Sequence, residues 1–194
     1  MALPLQPDDA LLLVDVQRDF LPGGALAVPE GDAVVPVLNR YIALAQQHGT
    51  PIFASRDWHP AGHCSFRAQG GPWPPHCVAG SEGARIAPGL ELPANAVVVD
   101  KATTQAEDAY SAFSGTTLAR QLRARDVKRV YVGGLATDYC VLNTVRDARS
   151  EGFEVVLLTD AIRAVNVNAD DGARAVAQMI EKGAQPAVYD DVAA

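Results

Sequence analysis

The sequence predicts an α/β fold, a single-domain, doubly wound and mainly parallel sheet with helices on both faces. Three observations predict it. Short, near-continuous apolar runs alternate with stretches whose apolar residues recur at helical spacing, the pattern of strands covered on both sides and joined by crossover helices. Glycine and proline gather between those stretches rather than inside them. A chain of 194 residues, 48% of them apolar, is long enough for one sizeable core, and no linker, internal repeat or low-complexity segment divides it. Residues 1–194 are accordingly read as one domain.

In chain order, Ala10 to Val16 is the first strand, an apolar run broken by Asp15. The segment that follows is too rich in glycine and proline for a regular element. Asp32 to His48 places Val34, Val37, Leu38, Tyr41, Ile42 and Ala45 at helical spacing and closes at Gly49. Pro51 to Ser55 is the second strand, leading into Arg56, Asp57, Trp58 and His59. A loop from about Pro60 to Pro93 comes next. Loops of that length are usually functional or disordered, and Phe66, Trp73 and two histidines point to order around a site. Val97 to Asp100 is the third strand, with Lys101 directly after it, and a helix spans about Thr116 to Arg125. Lys128 to Gly133 is the fourth strand, Gly133 and Gly134 make a sharp turn, and Thr137 or Asp138 caps a helix running to about Ser150. Glu154 to Thr159, a helix from Asp170 to Lys182 and a short strand from Gln185 to Tyr189 complete the pattern.

Composition narrows the function. A net charge of −7 argues against a general nucleic-acid or membrane surface. No run of about 18 apolar residues exists to span a bilayer. The opening MALPLQPDDALLLVDVQ lacks a basic n-region and reads as a core strand, not a signal peptide. Cys64, Cys77 and Cys140 are an odd set without a CxxC pair, which suits a reduced, cytoplasmic setting. Neither GxGxxG nor GxxxxGK[ST] follows any strand, which weakens a nucleotide-binding reading.

Parallel sheets of this kind bind ligands beyond the carboxyl ends of their strands. Those ends carry Asp15, then Asp57 and His59, then Lys101, then Cys140. Cys140 opens a helix, where unpaired N–H groups and the dipole favour a thiolate, and Lys101 adds positive charge. Asp15 can take the thiol proton and return it to a leaving amine. The turn from Gly134 to Thr137 offers backbone N–H groups for an oxyanion. Together these imply acyl transfer through a thioester. Each residue alone has a plainer reading: a packed cysteine, a turn-capping aspartate, a solvated lysine. Their convergence on one sheet edge carries the argument.

A second set lies alongside. Asp57 and His59, two apart in an extended segment, point the same way, and His76 arrives from the proline-stiffened GGPWPPHC. One carboxylate and two imidazoles suit zinc, iron or manganese with open positions for water or ligand. The plainer reading of DWHP is a turn with a packed tryptophan. His63 is less suited as a ligand, Cys64 and Cys77 less still, and His48 reads as a helix C-terminal residue.

The segments VDVQRDFLPGGALAVPEGD, ASRDWHP, GGPWPPHCVAGSEGA, VDKA, DAYSAF and GLATDYCV occur in order from about Leu11 to Asp160. Together they closely resemble the nicotinamidases among the isochorismatase-like cysteine hydrolases. VDxQ is shared across that superfamily, whereas DWH, WPPHC and GGALAVPEGD mark the nicotinamidase branch. The resemblance implies an isochorismatase-like fold with Rossmann-type layering. It implies hydrolysis of nicotinamide to nicotinate and ammonia in NAD salvage, extending to pyrazinamide. Cys140 would be the nucleophile, Asp15 the proton acceptor and Lys101 their assistant. One divalent metal ion, zinc before iron or manganese, would be held by Asp57, His59 and His76 and grip the pyridine nitrogen. Phe20, Leu26, Trp73 and Tyr110 would form the ring slot. A cis peptide before Ala136 is implied too, with the N–H groups of Ala136 and Cys140 as the oxyanion hole. The partner is then a small molecule rather than nucleic acid or membrane, and a homo-oligomer is compatible with the reading. Two rivals remain: a related hydrolase of another small amide or a carbamoyl compound, and a non-catalytic metal or nucleotide binder.

Overall fold

In the computed structural model, which describes residues 2–194, six strands form one sheet. They are β1 (Asp9–Val14), β2 (Ile52–Asp57), β3 (Val97–Lys101), β4 (Arg129–Leu135), β5 (Glu154–Arg163) and β6 (Gln185–Ala187). Their order is β3-β2-β1-β4-β5-β6, and every neighbouring pair is parallel. The helices are α1 (Val34–His48), α2 (Leu118–Arg123), α3 (Leu142–Ser150), α4 (Asp171–Glu181) and α5 (Tyr189–Val192). Strand residues alternate between two cores. Leu11, Leu13, Tyr131 and Val156 pack with Leu38, Tyr41 and Ile42 of α1. Leu12, Val14, Val132 and Leu157 pack with Leu118, Val145 and Met179 of α2, α3 and α4. Burial on both faces is why these strands read as continuous apolar runs.

The chain leaves β1 toward β2 and β3, then returns to add β4 on the other side of β1. The crevice beyond the carboxyl ends of β1 and β4 is therefore the switch point where such sheets bind ligands. Asp15 follows β1 and Ala136 follows β4, so both open onto it.

Several boundaries differ from the sequence reading. Asp57 and Lys101 are the last residues of β2 and β3, paired with each other in the ladder, rather than loop residues. Gly133 and Gly134 lie within β4, not in a turn. A Cβ on Gly134 would stand 2.1 Å from the Val14 carbonyl oxygen, so glycine here permits close approach of β1. β5 continues to Arg163 because the β4–β5 ladder resumes after an irregularity, pairing Gly134 with Ile162 and Leu135 with Arg163. The helix expected from Asp138 begins at Leu142, after a π-helical turn at Thr137–Val141. No side chain caps that turn. The Asp138 carboxylate instead accepts from the backbone N–H groups of Val165 and Asn166, each at 2.9 Å. The four-residue α5 is too short for periodicity to reveal. The long loop is tied down by isolated bridges, His59 to Val78, Phe66 to Trp73 and Gln17 to Ile86.

Candidate active site

β1 ends at Val14, and Asp15 turns the chain away with φ 48°. Ser55 Oγ donates to Asp15 Oδ1 at 2.7 Å. The buried Oδ2 has no hydrogen bond, although Lys101 Nζ stands 2.9 Å away at ion-pair distance. Lys101, wholly buried, also donates to Asp57 Oδ1, to the Ala109 carbonyl at 2.9 Å and to Cys140 Sγ at 3.6 Å. One oxygen each of Asp15 and Asp57 and the Cys140 sulfur lie within 4.8 Å of one another. The structure thus brings Asp15, Lys101 and Cys140 together from three strand ends.

Burial sets the charges of this cluster. It pushes the Cys140 thiol well above its ordinary value, against the pull of the Lys101 ammonium, and Asp15 pushes the same way. Burial also raises Asp15, with Lys101 opposing. For Lys101, burial works against the charge, but Asp15 and Asp57 outweigh it and hold the ammonium firmly protonated. The expected resting thiolate is therefore corrected to a neutral thiol. Lys101 is already shared between two carboxylates, and the desolvation of a buried sulfur exceeds what remains of its field.

Asp57, His59 and His76 are all buried, and one donor atom from each lies within 4.8 Å of the others. His59 Nδ1 is 3.0 Å from the His76 carbonyl and His76 Nδ1 is 2.8 Å from the Pro74 carbonyl. A carbonyl can only accept, so both Nδ1 atoms carry the proton, which leaves the Nε2 lone pair of a neutral imidazole available to a metal. His59 Nε2 lies 3.9 Å from Asp57 Oδ2, the oxygen opposite the one that Lys101 holds. Burial lowers the His59 pKa to about 4, so its imidazole is neutral. A carboxylate and two imidazoles, each oriented by a partner on its other atom, fit a divalent cation. His63 stacks 4.3 Å from His59, but its Nε2 meets the Glu107 carbonyl at 3.0 Å and its Nδ1 meets Ser65 Oγ at 2.7 Å. Both nitrogens have partners within the fold, although His59, His63 and Asp108 also bring one donor atom each within 4.8 Å of one another.

A mostly apolar pocket with a few polar groups, the usual character of small-molecule sites, opens beside this cluster. Phe20, Leu26, Trp73, Tyr110 and Ala136 all line it, together with Asp57, His76 and Cys140. Trp73 Nε1 donates to Tyr110 Oη at 3.1 Å, and Tyr139 meets Trp73 edge-on at 5.2 Å, so three rings form one wall. The Leu135–Ala136 peptide is cis, as the resemblance implies.

The chain matches the isochorismatase domain family over residues 9–187. It belongs to that family. Isochorismatase-family relatives resemble it over most of their length. The nicotinamidase of Escherichia coli K12 is 45% identical, the alignment covering 92% of this chain and 93% of the relative. A pyrazinamidase of Pyrococcus horikoshii, solved in complex with zinc, superposes with a TM-score of 0.91 at 49% identity, covering 94% of this chain and all of the other. An L. infantum protein solved in complex with nicotinate gives a TM-score of 0.91 at 38% identity, covering 99% and 98% of the two chains.

Sequence reasoning missed part of this isochorismatase-family pocket. Val28, Ser65, Asp108, Ala109, Tyr139 and Val165 also line it. Tyr139 precedes Cys140, and Asp108 and Ala109 precede Tyr110, so proximity to named residues was an available signal. Val165 carried none: it comes from beyond β5 and is held by Asp138.

Proposed function

We propose that the chain is a metal-dependent cysteine amidohydrolase that converts nicotinamide and water to nicotinate and ammonia, and also accepts pyrazinamide. One observation carries the reading. A buried thiol, with the ion-paired Asp15 carboxylate and the Lys101 ammonium beside it, lies at an aromatic-walled pocket next to a carboxylate–imidazole–imidazole donor set. The relatives named nicotinamidase and pyrazinamidase, and the neighbours bound to zinc and nicotinate, support it.

In the proposed reaction Cys140 gives its proton to Asp15 Oδ2 as the sulfur attacks the amide carbonyl. The oxyanion is taken by the N–H groups of Ala136 and Cys140. Asp15 returns the proton to the amide nitrogen, and ammonia leaves a nicotinoyl thioester. Asp15 then deprotonates the water that hydrolyses the thioester, restoring thiol and carboxylate. Lys101 remains an ammonium throughout and holds Asp15 and Asp57 in place. Asp57, His59 and His76 would hold the divalent ion, which supplies Lewis-acid anchoring of the ring nitrogen. Phe20, Leu26, Trp73 and Tyr110 would clasp the ring.

Among the described residues no helix is long and apolar enough to cross a membrane, and the cysteines are free. With these we read one domain over residues 1–194, acting in the cytoplasm on a small molecule rather than on nucleic acid. The test is ammonia release from nicotinamide, pyrazinamide and a carbamoyl compound, offered side by side to the zinc-loaded protein. Turnover of the first two is expected. Turnover of the carbamoyl compound alone would replace this reading with its sister activity.

A further inference from the structure

The ladder between β1 and β2 pairs Leu11 with Ile52 through to Val14 with Ser55 and then stops, because the turn at Asp15 carries β1 away. β2 runs on for two more residues. On its β3 side the pairing continues, with Asp57 opposite Lys101 and the Trp58 N–H donating to the Lys101 carbonyl at 3.1 Å. The N–H and C=O of Asp57 itself face the other way, toward the space that β1 has vacated. Buried main-chain groups in that position need partners, since leaving one unpaired forfeits its hydrogen bond to water with nothing in return.

Gln17 provides them. Its side chain is fully buried, and its amide is matched to the Asp57 main chain at both ends. Gln17 Oε1 accepts from the Asp57 N–H at 2.8 Å, and Gln17 Nε2 donates to the Asp57 carbonyl at 2.8 Å. The second Nε2 proton goes to the Ala84 carbonyl at 2.9 Å, in the long loop that also delivers His76. The Gln17 backbone is fixed in turn: its N–H donates to the Asp15 carbonyl at 2.9 Å, and it bridges to Ile86. One primary amide therefore stands where the next peptide of β1 would be and links Asp57 to the long loop, while the Gln17 backbone ties it to Asp15.

We infer that Gln17 is the positioning residue of the metal site: its side-chain amide replaces the missing strand and sets the direction of the Asp57 carboxylate. With the two flanking peptides locked, Asp57 has only its side-chain torsions left. Its Oδ1 is held by Lys101 and its Oδ2 is turned to His59 Nε2. Glutamine fits this task where other residues do not. Asparagine is one methylene short, glutamate has no N–H for the two carbonyls, and methionine can neither donate nor accept usefully. Groups that hold a ligand from behind commonly change metal affinity by 10–100-fold when removed.

The inference rests on the reading of Asp57, His59 and His76 as metal ligands, and the experiment separates the two. Zinc affinity of the full-length protein, stripped of metal, is measured by competition with a chromogenic chelator for the parent, Gln17→Met, Gln17→Glu and the distant control Tyr131→Phe. The control removes another interior hydrogen bond, from Tyr131 Oη to the Leu3 carbonyl at 2.9 Å, toward the amino-terminal end of β4 and away from the carboxyl ends where the pocket lies. Both Gln17 variants are expected to bind zinc 10–100-fold more weakly than the parent, and Tyr131→Phe to bind it as the parent does. If Gln17→Met does not fold, Gln17→Glu, which keeps the shape and the acceptor, decides. Zinc affinity within threefold of the parent in the folded Gln17 variants, or an equal loss in Tyr131→Phe, overturns the positioning role. A parent that binds no zinc overturns the metal reading instead.

Discussion

Replacing Lys101 by methionine is the sharpest test of the charge arrangement. Methionine matches the lysine stem as far as Cε, with sulfur in place of Cδ, and lacks the ammonium. At 2.9 Å from Asp15 Oδ2 and an effective dielectric of about 20, that ammonium contributes about 6 kcal/mol of gross attraction to one carboxylate alone. Much of this is offset by the desolvation that the lysine no longer suffers. Removing one partner of a buried ion pair has a net cost of about 3–5 kcal/mol. In a chain of this length that lowers Tm by roughly 6–20 °C. The sign of the pH dependence follows from Asp15. Its carboxyl is already raised by burial, and Lys101 is what holds it down, so the variant raises it further. A carboxyl with a raised folded pKa favours folding most at low pH, and that contribution is lost as pH rises through the folded value. The stability deficit of Lys101→Met should therefore be largest near pH 8 and shrink toward pH 5, as read by urea denaturation at each pH. Activity should fall with it, because a protonated Asp15 cannot accept the thiol proton. Loss of a general base corresponds to about 10²–10⁴ in kcat/KM. A deficit that grows toward low pH, or an ammonia-release rate within tenfold of the parent at pH 7.5, refutes the reasoning.

Cys140→Ala should release no ammonia above background while binding nicotinamide within a few fold of the parent by calorimetry; turnover in that variant would end the thioester mechanism. Removing divalent metal by chelation should weaken nicotinamide binding at least about tenfold, and added zinc should restore it; tight binding by verified metal-free protein would contradict the ring-anchoring role. Gly134→Ala should lose at least about 3 kcal/mol in urea denaturation, because its Cβ would stand 2.1 Å from the Val14 carbonyl oxygen and its φ is +124°. A loss below about 1 kcal/mol would show that β1 and β4 can separate there at little cost.

The fold and the site's membership were legible to different degrees, for reasons that can be traced to particular residues. The strands were readable because both faces are buried, and the polar residue ending each run then stood out: Asp15, Asp57, Lys101. The glycines of β4 were misread because the same residue marks a turn and a close backbone approach, and only the distance to Val14 tells them apart. The π-helical turn at Thr137–Val141 has no sequence period of its own. Val165 and Gln17 act through contacts 27 and 40 positions apart, with Asp138 and Asp57 respectively, and nothing local announces either pairing. The resting charge of Cys140 was misjudged for a related reason. Helix position is local and visible in sequence, whereas the desolvation that outweighs it depends on the whole fold.

That desolvation is better suited to the proposed chemistry than a standing thiolate would be. Burial raises Cys140 and Asp15 together. A raised carboxyl is a stronger base than an exposed one. The proton must also be returned, first to the leaving nitrogen, and a weak carboxylic acid that remains protonated long enough serves that step. Lys101 smooths the exchange. The ion pair of a carboxylate at 2.9 Å is traded for that of a thiolate at 3.6 Å, and at an effective dielectric of about 20 the two attractions differ by only about 1 kcal/mol. Total charge beside the ammonium is the same before and after the proton moves. The lysine therefore serves by standing between the two anions with nearly equal claim from each, and a substitution that shifts it toward either one should slow the reaction even with nucleophile and base intact.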